Sequence, residues 1–175
     1  RHDGIGRMLA TLERRGLLEQ TVVVYAADHG EMLCDHGFVY KTLMYDQSAG
    51  VPLIVRWPKG FDAGRRVSSP VSLIDLPPTL VEIAGGAGWA GMHGQSLTDC
   101  LRGGAEPTRP VFSEYGEMKM MRAGRWKCVC DPSWEVQQLF DMEADPKELA
   151  NRVDEEPAVA AKMEAGIARW LAESE

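Results

Sequence analysis

The chain has 175 residues, of which 45% are hydrophobic and 26% charged, and its formal net charge is −7. This composition is typical of a globular chain, and the length is sufficient for one sizeable core. The acidic balance argues against a nucleic-acid partner, and no apolar run approaches the ~20 residues that cross a bilayer. The four cysteines include no Cys-x-x-Cys pair, which favours a reducing, cytoplasmic compartment over a disulfide scaffold.

The first part of the chain is predicted to form an α/β layer. Apolar residues over 5–12 recur at three- and four-residue spacing, which predicts a helix with one buried face. The apolar run 21–27 predicts a strand covered on both faces in a parallel sheet, and the run 51–57 predicts a second buried strand. A short helix is predicted over 75–85, because proline stands in its first turn and glycine at its end.

The character of the sequence changes after about residue 103. Short runs of apolar and β-branched residues predict a small antiparallel sheet, and an amphipathic helix follows at the C-terminus. The strand-like runs are 111–115, 119–122, 125–130 and 138–141. We therefore expect two structural parts, 1–103 and 104–175.

Polar and charged side chains are concentrated immediately after the first predicted strand. Asp28 and His29 end that strand, and His36 and Lys41 follow within fourteen residues. In open α/β sheets ligands bind at the carboxyl ends of strands. An adjacent Asp and His offer a hard oxygen and an imidazole to a divalent metal, and Lys41 offers a point charge to an anion. The alternative interpretation is a solvated loop in which Asp28 caps its own turn.

Several segments also occur in a recognisable order along the chain. They are Asp-His-Gly-Glu-Met-Leu at 28–33, Asp-His-Gly at 35–37, Lys41, Val-Pro-Leu-Ile-Val-Arg-Trp-Pro at 51–58, Gly-Gln-Ser-Leu at 94–97 and Arg-Ala-Gly-Arg-Trp-Lys at 122–127. This order resembles the sulfatases of the alkaline phosphatase superfamily. The resemblance implies an α/β fold in which 1–103 is the C-terminal part of an α/β/α sandwich. Residues 104–175 would then be a small antiparallel-sheet subdomain with a terminal helix.

The resemblance also implies roles for individual residues. Asp28 and His29 would be ligands of a divalent metal, with calcium expected and manganese or magnesium as alternatives. Lys41 would bind the sulfate group of the substrate and act in catalysis. His36 is a further catalytic candidate, for which we expect a hydrogen-bonding role behind the metal ligands.

The implied activity is that of a sulfuric ester hydrolase acting on a sulfate-ester small molecule or a sulfated carbohydrate. Its formylglycine nucleophile would lie in an N-terminal part that is missing here, so the chain alone is expected to be inactive. A phosphonate monoester or phosphodiester hydrolase of the same superfamily is one alternative. A catalytically inactive module that binds a partner is another, because the nucleophile motif is absent from these residues.

Two further segments mimic functional motifs. Residues 130–134 match the sulfatase nucleophile motif at four positions, but they follow the metal-binding segment and end in Trp134 instead of arginine. Residues 86–91 read as a Gly-x-Gly-x-x-Gly motif that follows a helix, so we interpret them as a helix-exit loop. We expect Cys128 and Cys130 to point to opposite faces of their strand, which would exclude joint metal ligation.

Overall fold

The computed structural model describes residues 3–89, 91–133 and 135–174. The helices in this part of the chain are α1 (Asp3–Arg14), α2 (Asp46–Ala49), α3 (Leu76–Ile83), α4 (Thr98–Leu101) and α5 (Pro157–Ser174). The strands are β1 (Val23–Ala26), β2 (Leu53–Arg56), β3 (Val111–Tyr115), β4 (Met118–Ala123), β5 (Trp126–Cys130) and β6 (Val136–Asp141). Among the described helices, none is long and apolar enough to span a membrane.

The N-terminal elements form where the sequence pattern predicts them. α1 is followed by Gly16, whose φ of 66° lies in the left-handed region that commonly terminates helices. The N–H of Gly16 donates to the carbonyl of Glu13 at 2.9 Å. β1 and β2 lie within the two predicted strand segments, so the expected order of helix and strands is confirmed.

The predicted parallel sheet is wrong for these two strands. β1 and β2 pair with each other in antiparallel register, with Val23 opposite Arg56 and Ala26 opposite Leu53. Neither strand is fully covered, since Tyr25 and Ile54 are 40% and 61% exposed. An apolar run indicates that both faces of a strand can be buried, but it does not show whether the neighbouring strand is parallel or antiparallel. This explains the error.

The C-terminal part forms the predicted antiparallel sheet and helix. Its four strands are ordered β3-β4-β5-β6. α5 packs on one face of this sheet and contributes Met163 and Ile167 to a core shared with Leu139. At the edge of the same face, the rings of Phe112 and Trp170 stack with centroids 4.7 Å apart.

The opposite face of the four-stranded sheet contacts the chain segment around α2. Met120 and Val129 point away from α5 and pack against Met44, which is 5% exposed. Side chains alternate between the faces of a strand, so neighbouring residues of β4 and β5 serve two different contacts. The sheet therefore lies between α5 and the segment that begins α2.

The expectation that Cys128 and Cys130 point to opposite faces is wrong. Both are fully buried in the core on the α5 side. Residues two positions apart on a strand share a face, so the expectation misapplied the strand period. Trp134 and Ala90, on which the two mimicked motifs partly depend, lie outside the described residues.

Candidate active site

Three of the sequence-predicted site residues converge directly after β1. His29 Nε2 lies 3.5 Å from Asp28 Oδ2, and Lys41 Nζ lies 2.5 Å from the same His29 nitrogen. The Asp28 side chain is 87% exposed and that of His29 is 36% exposed. The two groups predicted to hold a metal and the lysine predicted to hold an anion thus face the solvent together.

The backbone fixes the orientation of the His29 ring. His29 Nδ1 lies 2.7 Å from the carbonyl oxygen of Gly30, which can only accept a hydrogen bond. Nδ1 therefore carries the proton, and the lone pair of the neutral ring is on Nε2. His29 Nε2 lies next to Lys41 Nζ and Asp28 Oδ2 and is the ring atom available to a metal ion.

Asp28 is held in its ionised form. The N–H of His29 donates to Asp28 Oδ1 at 3.0 Å. This hydrogen bond is the main cause that lowers the pKa of the Asp28 carboxyl below 3.8, and its own N–H and the nearby His29 and Lys41 act in the same direction. An ionised carboxylate is the form that a divalent cation binds.

Gly30 and Ser48 bring the site loop against α2. The Gly30 N–H donates to the carbonyl of Ser48 at 2.7 Å, and the hydroxyl of Ser48 donates to the carbonyl of Lys41 at 2.6 Å. Ser48 is 3% exposed. A Cβ at Gly30 would lie 2.0 Å from the carbonyl oxygen of Gln47, so only glycine permits this approach. One buried serine therefore anchors the loop near both of its ends.

His36 lies in the same loop but outside the group formed by Asp28, His29 and Lys41. Its ring stacks on Tyr45 with centroids 3.9 Å apart and an interplanar angle of 11°. Its φ of 51° is left-handed, as are those of Leu33 and Cys34 at 48° and 74°. Strained non-glycine residues of this kind are concentrated at functional sites. The described contacts of His36 indicate a role in holding the loop.

The donor set fits a divalent cation in part. One carboxylate oxygen and one imidazole nitrogen 3.5 Å apart can ligate the same ion, since ligand bonds to such ions are ~2.0–2.6 Å long. Within residues 3–89, 91–133 and 135–174, no group of three or more His, Cys, Asp or Glu could hold a metal. The described residues therefore offer Asp28 and His29 as two ligands. Lys41 competes with a cation for the His29 lone pair.

Sequence reasoning missed the residues that support the site from behind. Ser48, Tyr45 and Gly30 act through backbone hydrogen bonds, ring stacking and close approach. No local pattern marks Ser48 or Tyr45, because their contacts depend on how the loop folds against α2. Gly30 carried the only usable signal, because it is part of the Asp-His-Gly triplet.

Most of the chain, including the four-stranded sheet and α5, matches a known protein family. Over residues 34–173 the sequence matches the family described as N-sulphoglucosamine sulphohydrolase, C-terminal. The chain belongs to this sulfatase family.

Individual relatives agree with the family match. The chain is 35% identical over 176 residues to arylsulfatase K of Mus musculus, covering 91% of this chain and 32% of the relative. A solved structure of a protein in complex with its substrate D-glucosamine-2-N,6-O-disulfate matches with a TM-score of 0.87 and 26% identity, over 99% of this chain and 39% of that one. The phosphonate monoester hydrolase of Silicibacter pomeroyi matches with a TM-score of 0.85 and 28% identity, over 98% of this chain and 38% of that one.

The chain spans about a third of the length of the curated relative, since it covers 32% of it. The matching region includes the β1–α2 loop from residue 34 and the whole C-terminal sheet.

Proposed function

We propose that the protein containing this chain is a metal-dependent sulfatase that hydrolyses sulfate esters. The observation that carries the proposal is the convergence of Asp28, His29 and Lys41 at the end of β1, in a chain of the sulfatase family. A carboxylate, an imidazole lone pair and an ammonium group in one solvent-facing cluster suit a doubly charged cation and an anionic ester.

Each of the three residues has a role that its geometry supports. Asp28 and His29 would hold the divalent cation, with calcium as the first expectation and manganese or magnesium as alternatives. When bound, the cation would polarise the sulfate oxygens as a Lewis acid. Lys41 would hold a sulfate oxygen and stabilise the negative charge on the leaving oxygen. The nucleophile, expected to be a formylglycine, would come from outside these 175 residues.

The substrate class follows from the same cluster. Lys41 would bind the anionic sulfate group of the substrate. The solved protein that binds a disulfated glucosamine supports a sulfated carbohydrate, and the arylsulfatase relative supports a small aryl sulfate. A sulfate ester is the chemistry that both share.

Substitution of Lys41 tests the proposal. We expect Lys41→Ala in the full-length protein to reduce kcat for an aryl sulfate by roughly 10²–10³-fold, the usual loss when a group that stabilises transition-state charge is removed. Lys59→Ala is the matched control, because Lys59 is an exposed lysine in the turn after β2. A Lys41→Ala enzyme with near-normal turnover would refute the assignment of Lys41.

A phosphonate monoester hydrolase is the second candidate. The similarity to the hydrolase of Silicibacter pomeroyi favours it, and a phosphonate monoester offers Lys41 a comparable anion. The ratio of kcat/KM for an aryl sulfate and an aryl phosphonate with the same leaving group discriminates the two. A preference for the phosphonate would replace the sulfatase proposal with this one.

A further inference from the structure

α2 connects the candidate active site with the C-terminal sheet. On the site side, Ser48 accepts the Gly30 N–H at 2.7 Å and donates to the Lys41 carbonyl at 2.6 Å. On the sheet side, Asp46 Oδ1 accepts a hydrogen bond from Lys127 Nζ at 2.7 Å. The two contacts are made by Asp46 and Ser48, which are only two residues apart in α2. A displacement of the helix at Asp46 therefore also moves Ser48.

Lys127 and Glu148 form a buried ion pair beside Asp46. Lys127 Nζ lies 2.7 Å from Glu148 Oε1, and both side chains are 0% exposed. The second carboxylate oxygen of Glu148 accepts the backbone N–H of Asp46 at 2.7 Å. Asp46 is thus held through its side chain by Lys127 and, more distantly, by Arg122 Nη1 at 3.5 Å from Oδ2, and through its backbone by Glu148.

A buried ion pair of this kind is weak evidence for a stabilising role. Removing two charges from water costs free energy that their attraction only partly returns, and apolar side chains of similar volume often stabilise a fold as well or better. Glu148 also has a φ of 57°, a left-handed conformation that glycine adopts more readily. Two unfavourable features at one contact with α2 indicate that the contact serves the geometry of the site more than the stability of the sheet.

We propose that Lys127 and Glu148 are positioning residues for the candidate active site. They fix Asp46 and with it α2, and Ser48 then sets the backbone positions of Gly30 and Lys41. The C-terminal sheet would therefore determine where the metal-ligand pair and Lys41 stand relative to each other. The proposal concerns the site on which the proposed function rests, but it can be tested without measuring hydrolysis.

Hydrogen–deuterium exchange in the full-length protein provides this test. The double variant Lys127→Met/Glu148→Gln removes both buried charges while keeping volume and an acceptor for the Asp46 N–H. We expect the Gly30 amide to exchange roughly tenfold faster or more, while amides of α5 change less than about twofold. Unchanged exchange at Gly30, or a uniform increase across the loop and α5, would overturn the proposal.

The control and the second variant exclude a merely structural explanation. Arg125→Met breaks a different ion pair of the same sheet, between Arg125 and Asp141, and should leave Gly30 exchange unchanged. If the double variant does not fold, Glu148→Gly removes the acceptor of the Asp46 N–H, leaves Lys127 paired with Asp46 and relieves the left-handed backbone. It should also accelerate Gly30 exchange, and failure to do so would refute the role of Glu148.

A kinetic readout separates this proposal from the proposed function. With an aryl sulfate we expect the double variant to lower kcat at least roughly tenfold with KM changed less than about threefold, because Lys41 is misplaced and not removed. A parent protein that hydrolyses no sulfate ester would refute the proposed function and leave the exchange result to decide the positioning role. An active parent whose kcat is unaffected by the double variant would refute the positioning role alone.

Discussion

Two glycines of the site loop are required for different physical reasons. Gly30 is needed because a Cβ would lie 2.0 Å from the Gln47 carbonyl oxygen. Gly37 has open space around it, but its φ of 78° is left-handed. The first glycine therefore permits the contact with α2, whereas the second permits only a local turn.

This difference makes a prediction for the two Asp-His-Gly triplets. Gly30→Ala should push α2 and Ser48 away from the loop and lower turnover by roughly 100-fold, since small misplacements at a reacting centre have effects of this size. Gly37→Asn should retain most activity, because asparagine tolerates the left-handed region. Kinetics of the two full-length variants with an aryl sulfate provide the measurement. Equal losses would contradict the close-approach explanation.

Asp141 gives the C-terminal sheet a pH dependence. Its carboxylate accepts hydrogen bonds from Arg125 and from the N–H groups of Glu143 and Ala144. The Arg125 hydrogen bond is the largest cause that lowers the pKa of Asp141 from 3.8 to about 2. The folded protein therefore favours the ionised carboxylate more than the unfolded chain does. Stability from this group is fully present above pH 3.8 and is lost as the pH falls towards 2.

We expect Asp141→Asn to make the free energy of unfolding depend less on pH under acidic conditions. Urea unfolding between pH 4 and pH 2 should show a shallower loss of stability for Asp141→Asn than for the unsubstituted protein, because one titrating group is removed. Arg125→Met is the matched variant, since it removes the hydrogen bond that is the largest cause of the lowered pKa of Asp141 and should reduce the acid loss of stability in the same way. Parallel curves for Asp141→Asn and the unsubstituted protein would show that Arg125 does not hold this carboxyl in the folded state.

At the scale of elements, α5 stabilises the C-terminal sheet through few apolar side chains. Ile167 is 1% exposed and packs in the core formed with β4, β5 and β6. Ile167→Ala should cost about 2–5 kcal/mol of unfolding free energy, because a buried side chain is removed and a cavity is left. Arg169→Ala, on the exposed face of the same helix, should change stability by less than about 0.5 kcal/mol. Chemical denaturation measures both, and similar costs would mean that α5 does not pack as described.

The elements themselves were largely predictable from local patterns. The hairpin around Ala123 and Gly124 could be predicted because turn residues separate two alternating runs. α5 could be predicted because its apolar residues recur with helical spacing. The direction of β1 relative to β2 was not readable, because both strands are short apolar runs and pairing is set by residues far apart in sequence. Local patterns therefore gave the elements, and long-range contacts decided their arrangement.

At the scale of the whole molecule, some residues at the candidate site can be identified from local patterns, whereas others can be identified only from long-range contacts. Asp28, His29 and Lys41 were identifiable because chemically suitable side chains cluster at a strand end. Lys127 and Glu148 were not identifiable, because they lie 81 and 102 residues from their partner Asp46. A buried lysine has no local signature in a sequence, since its burial depends on partners brought together only by the fold. The C-terminal sheet thus contributes to the site in a way that only the structure reveals.

The number of metal ligands in the described residues leads to the last prediction. Asp28 and His29 offer two donors, and no larger group of possible ligands occurs in the described part of the chain. If the proposed metal site is right, its other ligands lie outside the described residues, and we expect them in the remaining part of the full-length protein. The 175-residue chain, once circular dichroism shows it to be folded, should bind Ca²⁺ or Mn²⁺ roughly 100-fold more weakly than the full-length protein, because affinity depends on ligand number and charge. Isothermal titration of both proteins provides the comparison, and Asp28→Asn in the full-length protein should weaken binding as well. Equal affinity of the short and long chains, or an Asp28→Asn protein that binds normally, would place the metal elsewhere.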